Sequence, residues 1–291
     1  MVNQTAAKLS PGLYLVATPI GAARDITLRA LDYLRGADVL AAEDTRSLRK
    51  LLDIHGIPLG GRPVVAYHDH SKPAVRERLL QDISVGKSVV YASEAGTPMV
   101  ADPGYDLAGD VIAADLPLVS APGPSAVITA LTLSGLPTDR FFFVGFLPNA
   151  SGKRKSALRE VAAVPGTLVF YESPKRVAAM LRDAAEVLGA SRRAVVCREL
   201  TKKFEEVLRG DLQELSDRCA ERSVKGEVVV LVDRGDLPSI DEADLESALI
   251  ATLREKSVRD AADEVAANLG LKRRQVYQRA LQLAKDGVDE P

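Results

Sequence analysis

Cysteine is almost missing from this chain of 291 residues: Cys197 and Cys219 are its only two. Two thiols build neither a disulfide framework nor a four-ligand zinc site, and both suit a reducing compartment. An excess of one charge is missing too. The 38 lysines and arginines against 40 acidic residues leave a net charge of −2, so no global basic field attracts nucleic acid, and such contacts must come from local patches. No apolar run reaches membrane-spanning length, and residues 1–11 carry no signal-peptide core. The expectation is a soluble cytoplasmic protein. Gly-x-Gly is absent, which removes the dinucleotide fingerprint and related glycine-rich cofactor loops. Gly86-Lys87-Ser88 imitates the end of a P-loop, but Gln81 stands where its first glycine belongs. That run also enters a strand instead of leaving one.

What is present alternates. Apolar runs at 12–17, 39–42, 63–67, 87–92 and 117–119 read as strands, with helical patterns between them. The second helix ends on His55-Gly56-Ile57-Pro58, a glycine-then-proline stop. Five strands alternating with helices indicate a doubly wound parallel sheet. A helix at 125–134 leads into a second α/β unit with strands at 141–146, 167–171, 194–197 and 227–232. Residues 204–209 read as a strand reached without a helix, so this second sheet is expected to be mixed. Residues 233–239 form a turn-rich linker, and the chain from Asp241 is helical in pattern. The expected fold class is α/β, with domains at 11–122 and 123–236 and a small helical tail at 240–287.

The loops after these strands hold the chemistry. The stretch Ser93-Glu94-Ala95-Gly96-Thr97-Pro98-Met99-Val100-Ala101-Asp102-Pro103-Gly104 leaves a buried strand for a helix starting at Tyr105. Asp102 is its expected cap, with Pro103 just inside. In open α/β sheets ligands bind at this edge. Gly96 permits close backbone approach, and Pro98 fixes the turn. Six side chains at such strand ends could serve as a general base: Glu43, Asp44, His68, His70, Glu94 and Asp102. A helix cap or a loop salt bridge is the competing role for each. Lys153, Arg154, Lys155 and Arg159 make the densest positive patch outside the tail. In the tail, Ala266, Gly270 and Val276 match the small, turn and apolar positions of a helix-turn-helix. Lys272, Arg273, Arg274, Arg279 and Lys285 add positive charge there. A solvated helical hairpin accounts for the same pattern equally well.

Several motifs occur together and in order: Thr18-Pro19-Ile20-Gly21 with Asp25-Ile26-Thr27, Ala42-Glu43-Asp44-Thr45-Arg46, Gly96-Thr97-Pro98 with Asp102-Pro103-Gly104, and Ala121-Pro122-Gly123-Pro124-Ser125. Phe170-Tyr171-Glu172-Ser173-Pro174, Arg198-Glu199-Leu200-Thr201-Lys202 and Lys225-Gly226-Glu227 complete the set. Over residues 11–232 the chain resembles the bacterial small-subunit ribosomal RNA ribose methylases, a branch of the tetrapyrrole methylase superfamily. Glu94 departs from the pattern, which usually has aspartate there. The resemblance implies two α/β domains with S-adenosyl-L-methionine folded between them, a homodimer, and methyl transfer to the 2′-hydroxyl of a cytidine in small-subunit ribosomal RNA. Position by position it implies cofactor contacts at Pro19, Gly96, Thr97, Pro98, Val100, Ser125, Ala126, Tyr171, Glu172, Leu200, Thr201, Gly226 and Glu227. His68 and Asp102 are the expected catalytic residues. Lys153, Arg154, Lys155, Arg159, Lys272, Arg273 and Arg274 are the expected RNA contacts, and no metal is expected. Two other functions use parts of the pattern. One is a methylase of a tetrapyrrole precursor or another small superfamily substrate, which needs no basic loop or tail. The other is a metabolite-sensing transcription regulator with a DNA-reading tail.

Overall fold

A strand that is apolar on both faces must be covered on both sides, and the first half of the chain meets that demand with a parallel sheet between helices. The computed structural model describes residues 8–68, 70–101, 104–235, 242–269, 271 and 273–285. Strands β1 (Gly12–Val16), β2 (Val39–Ala42), β3 (Val64–Ala66), β4 (Ser88–Ala92) and β5 (Leu118–Ala121) lie in the order β3-β2-β4-β1-β5, all parallel. The helices between them are α1 (Leu28–Gly36), α2 (Thr45–Ile54), α3 (Pro73–Ser84) and α4 (Tyr105–Ala113). Leu13 and Leu15 of β1 share a core with Leu79, Ile83, Leu107 and Val111 of α3 and α4. Tyr14 and Val16, pointing the other way, share one with Leu31, Leu34, Leu48 and Leu52 of α1 and α2. The sheet is therefore doubly wound, as its pattern predicts. Helix α2 starts where Asp44 caps it, accepting the Arg46 N–H at 2.7 Å. Helix α4 starts at Tyr105, but its cap position is Gly104. Asp102, expected in that role, lies outside the described residues with Pro103.

Helix α5 (Ala126–Ser134) leads into the second sheet: β6 (Phe141–Phe146), β7 (Thr167–Glu172), β8 (Arg193–Arg198), β9 (Glu206–Asp211) and β10 (Val228–Val232), ordered β6-β7-β10-β8-β9. β6 and β7 run parallel, and the remaining pairs are antiparallel. The sheet is mixed, as expected, although its antiparallel hairpin strand begins two residues later than the expected 204. The pairing of Arg198 with Glu206 sets that start, and residues 199–205 are used in a turn. Helices α6 (Ser151–Val161), α7 (Val177–Leu188) and α8 (Leu212–Ala220) cover one face, and α5 covers the other. Both cysteines are free and buried. Burial pushes the Cys197 thiol up to about 12, which leaves it unreactive at neutral pH.

The chain divides after Asp233 into two compact units. The second holds α9 (Glu242–Leu253), α10 (Val258–Leu269) and α11 (Arg273–Lys285). Leu249, Ala262, Val265, Ala266, Val276 and Ala280 form its core, so Ala266 and Val276 take the inward positions that a helix-turn-helix requires. Gly270 and Lys272 lie outside the described residues. No described helix is long and apolar enough to cross a membrane.

Candidate functional site

Three loops leave the C-terminal ends of β1, β4 and β5, which are neighbours in the sheet, and they are pinned together there. Thr18 and Gly96 exchange backbone hydrogen bonds of 3.0 and 2.9 Å. The Thr18 hydroxyl donates to the Ser93 carbonyl at 3.1 Å, and the Ser93 hydroxyl donates to the Gly96 carbonyl at 2.5 Å. Thr97 Oγ1 donates to the Pro124 carbonyl at 2.9 Å. Gly96 has φ +83°, which side chains rarely tolerate, and a Cβ there would stand 3.3 Å from Ile20 Cγ2. Met99 and Ala101 hold φ of 71° and 56° without being glycine. Strain of that kind persists only where the surroundings enforce it.

The second half meets this edge through α5 and the turn after β8. Ile20, Val127, Leu131, Val169, Leu200 and Val229 form one buried cluster, and Val100, Ala126 and Tyr171 pack onto it. So Gly96, Thr97, Val100, Ala126, Tyr171 and Leu200, expected together from the resemblance, gather where the two halves join. Thr201 joins them, because its Oγ1 accepts the Ala22 N–H at 3.1 Å. Pro19, Pro98 and Ser125 belong to the same loops, and Gly226 and Glu227 are exposed just before β10. Phe143 and Phe146 meet the Tyr171 ring edge-on at 5.0 and 5.7 Å. Burial raises the Tyr171 hydroxyl above its ordinary range. The Glu172 side chain points elsewhere. Leu168 and Phe170, on its side of β7, belong to the α6–α7–α8 core. Its fully buried carboxylate lies 3.2 Å from Arg176 Nε and accepts the Ser173 N–H at 2.7 Å. Position 172 can reach the joint only through its backbone.

Because β3, β2 and β4 are adjacent, their ends open into one cavity of about 510 Å³, lined by Glu43, Asp44, Arg46, His68, His70 and Glu94 among others. Five of the six strand-end base candidates meet there. The sixth, Asp102, lies outside the described residues. The Arg46 guanidinium, 3.2 Å from Asp44, holds that carboxyl below the usual carboxylate range. Three carboxylates against one arginine make the cavity rich in hydrogen-bond acceptors, which suits hydroxyl and amino groups better than phosphate. His68 also lines a second cavity of about 210 Å³ with Lys72 and Arg76. Its Nδ1 accepts the His70 N–H at 3.2 Å, so the neutral ring carries its proton on Nε2 and offers a donor. Among the described residues no cluster of metal ligands occurs.

The expected RNA contacts separate. Lys153 and Arg159 are exposed on α6, and Arg274 is exposed on α11. Arg154 is only 5 % exposed: it points inward and binds Asp183 at 2.7 Å, so its expected RNA role is corrected to a structural one. The spacing explains this, since Arg154, Leu158 and Val161 fall on the buried stripe of α6. Lys155 pairs with Glu186 at 2.5 Å, and Arg273 pairs with Asp263. The positive patch is therefore smaller than the sequence suggests.

Comparison with known proteins places the chain among methylases. The family described as Tetrapyrrole (Corrin/Porphyrin) Methylases matches residues 12–216, and the RsmI C-terminal HTH domain matches residues 239–284. A Mesorhizobium japonicum protein named ribosomal RNA small subunit methyltransferase I is 46% identical, over 97% of each chain. The protein of that name from Vibrio cholerae is 43% identical over 96% of this chain and 98% of its own. Among solved structures, a Thermus thermophilus uroporphyrin-III C-methyltransferase complexed with S-adenosyl homocysteine superposes with a TM-score of 0.53 at 22% identity, covering 76% of this chain and 97% of its own.

Proposed function

The chain belongs to the tetrapyrrole methylase family, and within it we propose that it methylates a ribose 2′-hydroxyl of a cytidine in small-subunit ribosomal RNA, with S-adenosyl-L-methionine as donor. The observation that carries this reading is kinship along nearly the whole chain, tail included, with proteins named for ribosomal RNA methylation. A precursor methylase has no use for that tail, and a transcription regulator has none for the acceptor-rich cavity.

The joint between the halves supports the cofactor. It offers backbone amides and carbonyls, the hydroxyls of Thr97 and Thr201, and the apolar surface of Val100 and Ala126. Lys202 beside it is already held by Glu199 and Glu227. Such a set fits a zwitterionic sulfonium better than a ligand bearing phosphates. The cofactor supplies an activated methyl group; the chain aligns an acceptor and removes a proton. We assign the cavity at Glu43, His68 and Glu94 to the target nucleoside. There His68 Nε2–H donates to a ribose oxygen, and a carboxylate takes the hydroxyl proton. Asp102 is the second proposed catalytic residue. Lys153, Arg159, Arg274 and Lys272 are proposed to meet phosphate, which positions RNA without reading sequence.

Nucleoside mass spectrometry of ribosomal RNA from a deletion strain tests the reading. One 2′-O-methylated cytidine should vanish from the small subunit and return with the gene; an unchanged nucleoside profile would refute the assignment. The assembly is proposed to be a cytoplasmic homodimer, since two-fold pairs are the commonest oligomers. Light scattering should give twice the 31.1 kDa chain mass at micromolar protein.

A further inference from the structure

The turn after β8 is unusual in holding two left-handed residues that are not glycine: Glu199 at φ 50° and Thr201 at φ 63°. Neither conformation is favourable for a side-chain-bearing residue, so something must hold the turn. Lys202 does so. Its Nζ donates to Glu199 Oε1 and to Glu227 Oε2, each at 2.9 Å. The same Glu199 oxygen accepts the Glu227 N–H at 3.1 Å, and the Glu199 N–H donates to the Glu227 carbonyl at 3.0 Å. Lys202 accordingly holds the Glu199 carboxyl below its ordinary range. From the other side, the Thr201 N–H donates to Glu205 at 2.6 Å.

The other half of the molecule rests on this turn. Thr201 Oγ1 accepts the Ala22 N–H. A Cβ on Gly21 would lie 2.5 Å from Lys202 Cγ, 2.6 Å from Thr201 Oγ1 and 2.9 Å from the Leu200 carbonyl oxygen, so the two segments touch with no room to spare. The β1–α1 loop of one sheet is thereby seated on the β8–β9 turn of the other. Lys202 itself is partly exposed and contributes little to either core.

We propose that Lys202 is a positioning residue for cofactor binding: by tying Glu199 to Glu227 it holds the strained turn against Gly21 and Ala22 and so fixes the spacing of the joint. This rests on placing the cofactor at that joint. Without the lysine, Glu199 and Thr201 can relax to right-handed backbone, and the Thr201 hydroxyl leaves Ala22. A ligand that fits only the held form then loses affinity in proportion to the population lost.

Isothermal calorimetry with S-adenosylhomocysteine, beside kinetics on ribosomal particles, tests this on the full-length protein. Lys202→Met should raise the cofactor Kd and KM about tenfold, with kcat at saturating cofactor and the RNA KM nearly unchanged. Lys202→Arg, which keeps both ion pairs within reach, should recover most of the affinity. Thr201→Val should weaken binding alone but add little to Lys202→Met, because both act through one contact. Glu199→Gln is the second variant should Lys202→Met not fold, and it too should weaken cofactor binding. If wild type binds the cofactor and the folded variants bind it equally well, whatever their melting temperatures, the inference is overturned. If wild type binds none, the proposed function has failed instead.

Discussion

Gly96→Val is expected to weaken cofactor binding by roughly a hundredfold while the protein remains folded. Gly96 ends the run from β4 and exchanges two backbone hydrogen bonds with Thr18, so it fixes the β1 and β4 loops relative to each other. At φ +83° a β-branched residue is strained by roughly 1–3 kcal/mol. Its Cβ would also press on Ile20 Cγ2 at 3.3 Å, and Ile20 is buried in the cluster that joins the two halves. Relief requires residues 96–100 to move, and these include Thr97 and Val100 of the proposed cradle. A loss of about 3 kcal/mol in binding corresponds to roughly a hundredfold in Kd. The cores beneath α1–α4 and beneath α6–α8 lie away from this loop end, so the protein should still fold, with melting lowered only through the strain and the contact on Ile20. Calorimetry on Gly96→Asn, Gly96→Ala and Gly96→Val should rank them in that order, because asparagine tolerates left-handed backbone best and valine least. A folded Gly96→Val protein with wild-type affinity would remove the cradle from this loop.

The parallel sheet was legible in the sequence because its strands are short apolar runs separated by helical periodicity, and burial on both faces leaves just that signature. The joint was legible by resemblance more than by pattern. Gly96, Thr97, Val100, Ala126 and Leu200 are scattered over a hundred residues, and only the sheet order brings their loops together. That order also explains the cavity: Glu43, His68 and Glu94 each follow a strand, but nothing local says that β2, β3 and β4 are neighbours. Two further features are readable from periodicity alone. The parity of β7 places Glu172 beside Leu168 and Phe170, away from Tyr171. The helical stripe of Arg154, Leu158 and Val161 places an arginine inward within a run that looks solvated. The strained turn at Glu199 and Thr201 left no trace, since left-handed backbone in residues other than glycine has no reliable sequence signal.

That inward arginine carries a large expected stability effect. Asp183 lies on α7 among Met180, Leu181 and Ala184 and is buried. Its carboxylate takes Arg154 Nε at 2.7 Å and the Ser151 hydroxyl at 3.0 Å, while Arg154 Nη1 donates to the Asn149 carbonyl at 3.0 Å. The pair therefore fastens the start of α6 to α7. Asp183→Ala removes one charge and leaves a guanidinium buried without its partner, a change that typically costs 3–5 kcal/mol. Urea denaturation should show the unfolding free energy falling by that amount, through a lower midpoint at unchanged slope, with Arg154→Met less damaging because Lys155, 3.9 Å from the Asp183 carboxylate, and the Ser151 hydroxyl remain beside it. Replacing Arg154 and Asp183 together by apolar residues of similar volume should recover much of the loss, since an unpaired buried charge is worse than none. Lys153→Ala and Arg159→Ala, both exposed on the same helix, should leave the unfolding free energy within about 0.5 kcal/mol of wild type. Their effect should fall on RNA, weakening binding and flattening its dependence on salt by about one counterion per charge removed. Neutralising the whole Lys153-Arg154-Lys155 run would mix these two consequences, and its loss of activity could be read as lost RNA contact when the helix had come loose. A stable Asp183→Ala protein with unchanged urea midpoint would show that the α6–α7 contact holds without its ion pair.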